Sequence, residues 1–145
     1  MIYVTDIKML IAYSLTFVGI PYLWGGESRE LGYDCSGFVI EILKAGKIDL
    51  PKDFTSHSLY NYLLKSHQAQ FSIAQPGALV FYGSRKRITH VAFMIDYKRV
   101  IEAGGGDSST VNRKIAEKQG ASIRIKDLNH RNDMLEILRP AYLFE

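Results

Sequence analysis

The hydrophobic spacing of the chain changes character at Gln75-Pro76-Gly77. Before that turn, apolar residues recur three and four apart: Leu10, Ile11, Leu15 and Val18; Phe38, Val39, Ile42 and Leu43; Leu59, Tyr60, Leu63 and Leu64. This spacing puts them on one face of a helix. After the turn come runs rich in β-branched and aromatic residues: Ala78–Tyr82, His90–Ile95 and Arg99–Ile101. Ser122–Ile125 and Leu135–Leu138 then alternate like half-exposed strands. Helices followed by strands predict an α+β domain, with N-terminal helices packed on a mainly antiparallel sheet. No repeat, low-complexity run or linker interrupts the 145 residues, so a single domain over 1–145 is expected.

Turn chemistry sets the expected boundaries. The first helix should start at Thr5 or Asp6 as N-cap and reach Phe17 or Val18, with Gly19 as stop and Pro21 forbidding continuation. Apolar neighbours fill most of its circumference, which predicts a buried helix. The second should run from Cys35 to Ala45-Gly46. The third should be capped by Ser56 and end near Ser66-His67. A short fourth is expected from Thr110 to Gln119.

Composition narrows the function. A net charge of +3, with only Arg85-Lys86-Arg87 clustered, gives no nucleic-acid footprint. One cysteine excludes an internal disulfide and any cysteine-rich zinc site, and no metal or organic cofactor is implied. Met9–Trp24 is uncharged and largely apolar. It is short for a membrane span, however, and lacks both a positive flank and a small-residue cleavage site, so neither a span nor an export signal is expected.

The chemistry centres on that cysteine. Cys35 stands where a turn becomes a helix, and the unpartnered N–H groups and positive dipole end there favour a thiolate. A nucleophilic cysteine needs a base, and the base needs something to orient it. Of the four histidines, His57 and His67 fall on or beside the third helix, and His130 lies in a charged loop. His90 opens an apolar strand after the polar Ser84–Thr89 loop. Glu102 closes the next strand and would lie near His90 if the two pair through Asp96–Lys98. A carboxylate there can hold the imidazole in one tautomer. On the residues alone, Asp107 or a water competes with Glu102 for that task. Gly104–Gly106 lacks the context of a nucleotide loop and is expected to give flexibility at the cleft rim.

Pro21-Tyr22-Leu23-Trp24-Gly25-Gly26, Asp34-Cys35-Ser36-Gly37-Phe38-Val39, Pro76-Gly77 and His90-Val91 together resemble the NlpC-type cell-wall peptidases. These are papain-like cysteine peptidases that cut peptidoglycan stem peptides. The resemblance runs from Leu10 to Pro140. It implies Cys35 as nucleophile, His90 as general base, and Tyr22 with its hydroxyl beside the oxyanion. Asp34 and Ser36 would line substrate subsites, and Trp24 would pack behind the site. Asp34 is equally read as the N-cap of the Cys35 helix. The chain departs from the family at Ala78, where an acid is usual, and at Glu102, where histidine is common. The Glu102–Asp107 run and the late Arg131–Asp133 and Leu138–Pro140 segments resemble phage-associated members. That likeness implies phage tail proteins as partners, and a virion-associated product or one made in the bacterial cytoplasm. Two other readings use the same residues: an amidase or acyltransferase sharing the Cys–His pair, and a non-catalytic wall-binding tail component.

Overall fold

A computed structural model describes residues 6–145. Thr5, one of the two expected caps, lies outside the described residues. The helices are α1 (Ile7–Leu15), α2 (Cys35–Ala45), α3 (Ser56–Lys65) and α4 (Arg113–Gln119). The strands are β1 (Glu27–Ser28), β2 (Gly32–Tyr33), β3 (Ala69–Phe71), β4 (Leu79–Gly83), β5 (Ile88–Met94), β6 (Arg99–Gly104), β7 (Ser122–Asp127) and β8 (Met134–Pro140). β1 and β2 pair with each other. The other six form one antiparallel sheet in the order β3-β8-β4-β5-β6-β7. The α+β arrangement expected from the spacing is therefore the one observed.

Strand alternation divides the central sheet between two cores. Leu79, Phe81, Val91, Phe93, Ile101 and Ala103 face the larger core, which α2 fills with Phe38, Val39, Ile42 and Leu43 and α3 with Leu59 and Leu63. Val80, Tyr82, Ala92, Met94 and Val100 form a smaller core on the other face, closed by Leu128, Ile137 and Leu143. Burial on both faces explains why β4 and β5 read as continuous apolar runs. At roughly 1.5–3 kcal/mol per buried large side chain, these positions hold the sheet that carries His90 and Glu102.

Side chains cap the helix starts. Asp6 accepts the Lys8 N–H at 2.9 Å, and Asp34 accepts the Gly37 N–H at 2.7 Å. For α3 the cap is Thr55 rather than Ser56: Thr55 and Ser58 form a reciprocal capping box. For α4 it is Asn112, which accepts the Ile115 N–H at 3.0 Å. Thr110 falls before the helix, fully buried, with its hydroxyl on Gln119.

The first helix departs from expectation twice. It ends at Leu15, because Thr16, Phe17 and Val18 bond three residues back instead of four and Gly19 turns to φ +93°. It is also half-covered. Within α1 only Leu10 and Ser14 are buried, while Met9 is 71% exposed and Leu15 and Val18 are exposed too. Its contacts run along α2 on one side, and an apolar outer face does not create a partner to cover it. Among the described residues, no helix is long and apolar enough to cross a membrane.

Candidate active site

Two glycine-bearing segments lock together to place the cysteine. The Gly26 carbonyl accepts the Asp34 N–H at 3.0 Å, just before α2 begins. A Cβ on residue 37 would stand 2.3 Å from that same carbonyl oxygen, so only glycine lets the first turn of α2 close on it. Leu23 N–H reaches the Tyr33 carbonyl at 3.0 Å, and Trp24 N–H the Thr110 carbonyl at 2.7 Å. The spacing between the two motifs is thus a packing requirement. Its result is Cys35 as the first residue of a helix.

Cys35 and His90 form a charge-coupled pair. Burial pushes the Cys35 thiol up, but a hydrogen bond and the charge of His90, with a further bond from Ser56, outweigh it and hold the thiol below its ordinary range. The Sγ lies 3.2 Å from Ser56 Oγ. Burial pulls the His90 imidazole down, yet its bonds to Cys35 and Glu102 raise it to about 9. His90 Nε2 sits 2.9 Å from Glu102 Oε1, which leaves Nδ1 as the ring nitrogen for the thiol. The backbone at this strand start is tied down as well, since Ile88 N–H donates to His57 Nδ1 at 3.0 Å.

Glu102 is 1% exposed and fully partnered. Oε1 also lies 2.9 Å from His130 Nε2, and Oε2 lies 3.2 Å from Arg124 Nε. Burial pushes the carboxyl up, but the bond and charge of His90, with the charges of His130 and Arg124, hold it at about 2. Asp107, its competitor in the sequence, spends its carboxylate on Ser109. Among the described residues, no three or more His, Cys, Asp or Glu side chains are arranged to hold a metal ion.

The cleft above this network encloses about 510 Å³, lined by Tyr22, Trp24, Cys35, His90 and the Ala103–Ser108 segment. Tyr22 is buried. Desolvation, with the nearby Cys35, Asp34 and Asp107 charges, raises its phenol, so the hydroxyl keeps its proton as a donor. The glycine run lines the cleft and leaves room at its wall. A Cβ on residue 106 would stand 2.3 Å from the Tyr22 ring, so these glycines provide room. Trp24 does not pack behind the site: it lies 55% exposed and lines the cleft. Asp34 and Ser36 line a neighbouring groove of about 690 Å³ with Glu27, Asp53 and Thr55. Asp34 is the helix cap as well, and it accepts the buried Ser36 hydroxyl at 3.3 Å.

The NlpC/P60 family model matches residues 19–129, a span that holds Tyr22, Cys35, His90 and Glu102. The chain belongs to the NlpC/P60 family. It is 32% identical over 117 residues to the gamma-D-glutamyl-L-lysine dipeptidyl-peptidase of Bacillus cereus, covering 78% of this chain and 29% of that protein. With the bifunctional muramidase/DL-endopeptidase CwlT of Bacillus subtilis it shares 33% identity over 93 residues, 62% of this chain and 27% of that one. It therefore spans less than a third of these curated relatives. The crystal structure of an NlpC/P60 family protein from Bacillus cereus superposes with a TM-score of 0.70 at 25% identity, over 97% of this chain and 42% of that one. The papain-like architecture expected from the resemblance is the fold these neighbours share.

Three residues of this NlpC/P60 site escaped sequence reasoning. Ser56 reads as a helix cap and instead faces the thiol one residue later. Arg124 is the cross-strand partner of Glu102, but register between β6 and β7 is invisible without the intervening path of α4. His130 sits in a polar loop between β7 and β8, and nothing local marks its return to β6.

Proposed function

We propose that this chain is a cysteine endopeptidase acting on peptidoglycan stem peptides. The observation that carries the reading is the Cys35–His90–Glu102 network at the floor of an open cleft; membership in the NlpC/P60 family supports it. The Cys35 thiolate attacks the amide carbonyl. The Cys35 backbone N–H and the Tyr22 hydroxyl donate to the oxyanion that forms. His90, held by Glu102, gives its proton to the leaving amine, and a thioester with Cys35 remains. His90 then takes a proton from water as it attacks the thioester, which releases the acid and restores the thiolate. Trp24 in the cleft lining, with Asp34 and Ser36 in the adjoining groove, would contact the peptide on either side of the scissile bond.

The test is incubation with purified peptidoglycan and with synthetic stem peptides, the fragments being identified by mass spectrometry. New amine and carboxylate ends within the stem are expected. Cleavage between glycan and peptide, or acyl transfer without hydrolysis, would assign the Cys–His pair to the amidase or acyltransferase reading. Binding with no products would assign it to a wall-binding role.

A further inference from the structure

Glu102 is gripped by more groups than orienting His90 requires. Its Oε1 lies 2.9 Å from both His90 Nε2 and His130 Nε2, and Oε2 lies 3.2 Å from two guanidinium nitrogens of Arg124. The other ring nitrogen of His130 stands 2.9 Å from the Asp127 carbonyl oxygen. The ring is also fixed laterally, edge-on to Tyr82 at 5.7 Å, while Tyr82 contacts His90 at 5.4 Å. Space is reserved for the far side of the grip. A Cβ on residue 104 would stand 2.6 Å from Glu102 Oε2 and 3.0 Å from Arg124 Nη2.

The final torsion of a glutamate is soft, so one partner leaves the carboxylate free to swing. With Oε2 on Arg124 and a second donor on Oε1, a single orientation remains, and in it Oε1 faces His90. We propose that His130, assisted by Arg124, is a positioning residue: it holds the Glu102 carboxylate in the orientation that orders His90 and shares the charge that His90 feels. His90 itself faces Cys35 from α2, Tyr82 from β4 and Glu102 from β6. Arg131 and Asp133, from the same loop as His130, add their charges to Glu102 and His90 respectively. Removing His130 takes a competing donor off Oε1. His90 then keeps its proton to higher pH, but in a less ordered ring.

The proposal rests on the peptidase reading only for its turnover readout; alkylation of Cys35 by iodoacetamide tests it with no substrate. Rates across pH, kcat, KM and Tm would be compared for the wild type, His130→Ala and His130→Gln. In His130→Ala the upper step of the alkylation profile is expected about half a pH unit higher. kcat should fall about tenfold at unchanged KM. His130→Gln, whose amide N–H reaches the carboxylate, should recover most of both. Arg124→Gln, at the other oxygen, should also lower kcat, and serves if His130→Ala does not fold. An alkylation profile and kcat equal to the wild type would overturn the proposal. So would equal losses of kcat and Tm in both His130 variants with an unmoved profile, which would confine His130 to the fold. A shifted profile in a protein whose wild type cuts no stem peptide would sink the substrate reading and leave this one standing.

Discussion

At Cys35, His90 and Glu102 the charges depend on one another. Removing the Glu102 charge while keeping its shape, as in Glu102→Gln, should lower kcat by about 10²-fold with the fold intact. The pH profile of kcat/KM should be a bell whose limbs belong to the pair. Activity appears as Cys35 ionises, below the ordinary thiol range, and disappears as His90 loses its proton near pH 9. In Glu102→Gln the upper limb should move to lower pH, because the imidazolium has lost its counter-charge. An unmoved limb would show that Glu102 does not hold His90. Cys35 was legible at a helix start, and His90 and Glu102 through the family resemblance added to the spacing; the structure sets both inside their strands rather than at the ends, because β5 already begins at Ile88 and β6 runs on to Gly104. His130 and Arg124 were not legible, since their roles depend on long-range register.

Among the elements, the loop after β6 and the turn before β1 meet at Tyr22. Gly106→Ala should cost about 1–3 kcal/mol in chemical denaturation, since its methyl group overlaps the Tyr22 ring. It should also lower kcat by moving the hydroxyl. Tyr22→Phe separates the two effects: kcat is expected about tenfold lower, with stability and KM near the wild type. Unchanged turnover in Tyr22→Phe would leave the ring as packing only. The first three helix starts were legible to within a residue, because Asp6, Asp34 and Thr55 are residue types that accept N–H groups there, whereas the fourth helix begins at Arg113 behind Asn112 and not at Thr110. The two-residue strands β1 and β2 and the three-residue β3 were invisible, being too short to show a period. The exposed side of α1 was misread because apolar composition reports what a helix can bury, not what covers it.

For the molecule as a whole, the same buried carboxylate links acid stability to the site. Glu102 falls from its ordinary 4.5 to about 2, so the stability it contributes is complete above pH 4.5 and is lost as pH falls towards 2. That amounts to about 3 kcal/mol, and urea unfolding from pH 5 to pH 2 should show a shallower decline in Glu102→Gln than in the wild type. Parallel declines would mean that its partners do not hold the carboxylate ionised. The α+β order, the antiparallel sheet and the helix N-terminus under the nucleophile were all legible, because each rests on periodicity or on one turn. The two-core division and the route of the β7–β8 loop over Glu102 needed the folded chain. The most direct measurement is digestion of purified peptidoglycan by the wild type and by Cys35→Ala, with the released peptides identified by mass. The wild type should release stem-peptide fragments with new amine and carboxylate ends, and Cys35→Ala should release none above background. Equal release by both, or none by either, would contradict a peptidase built on Cys35.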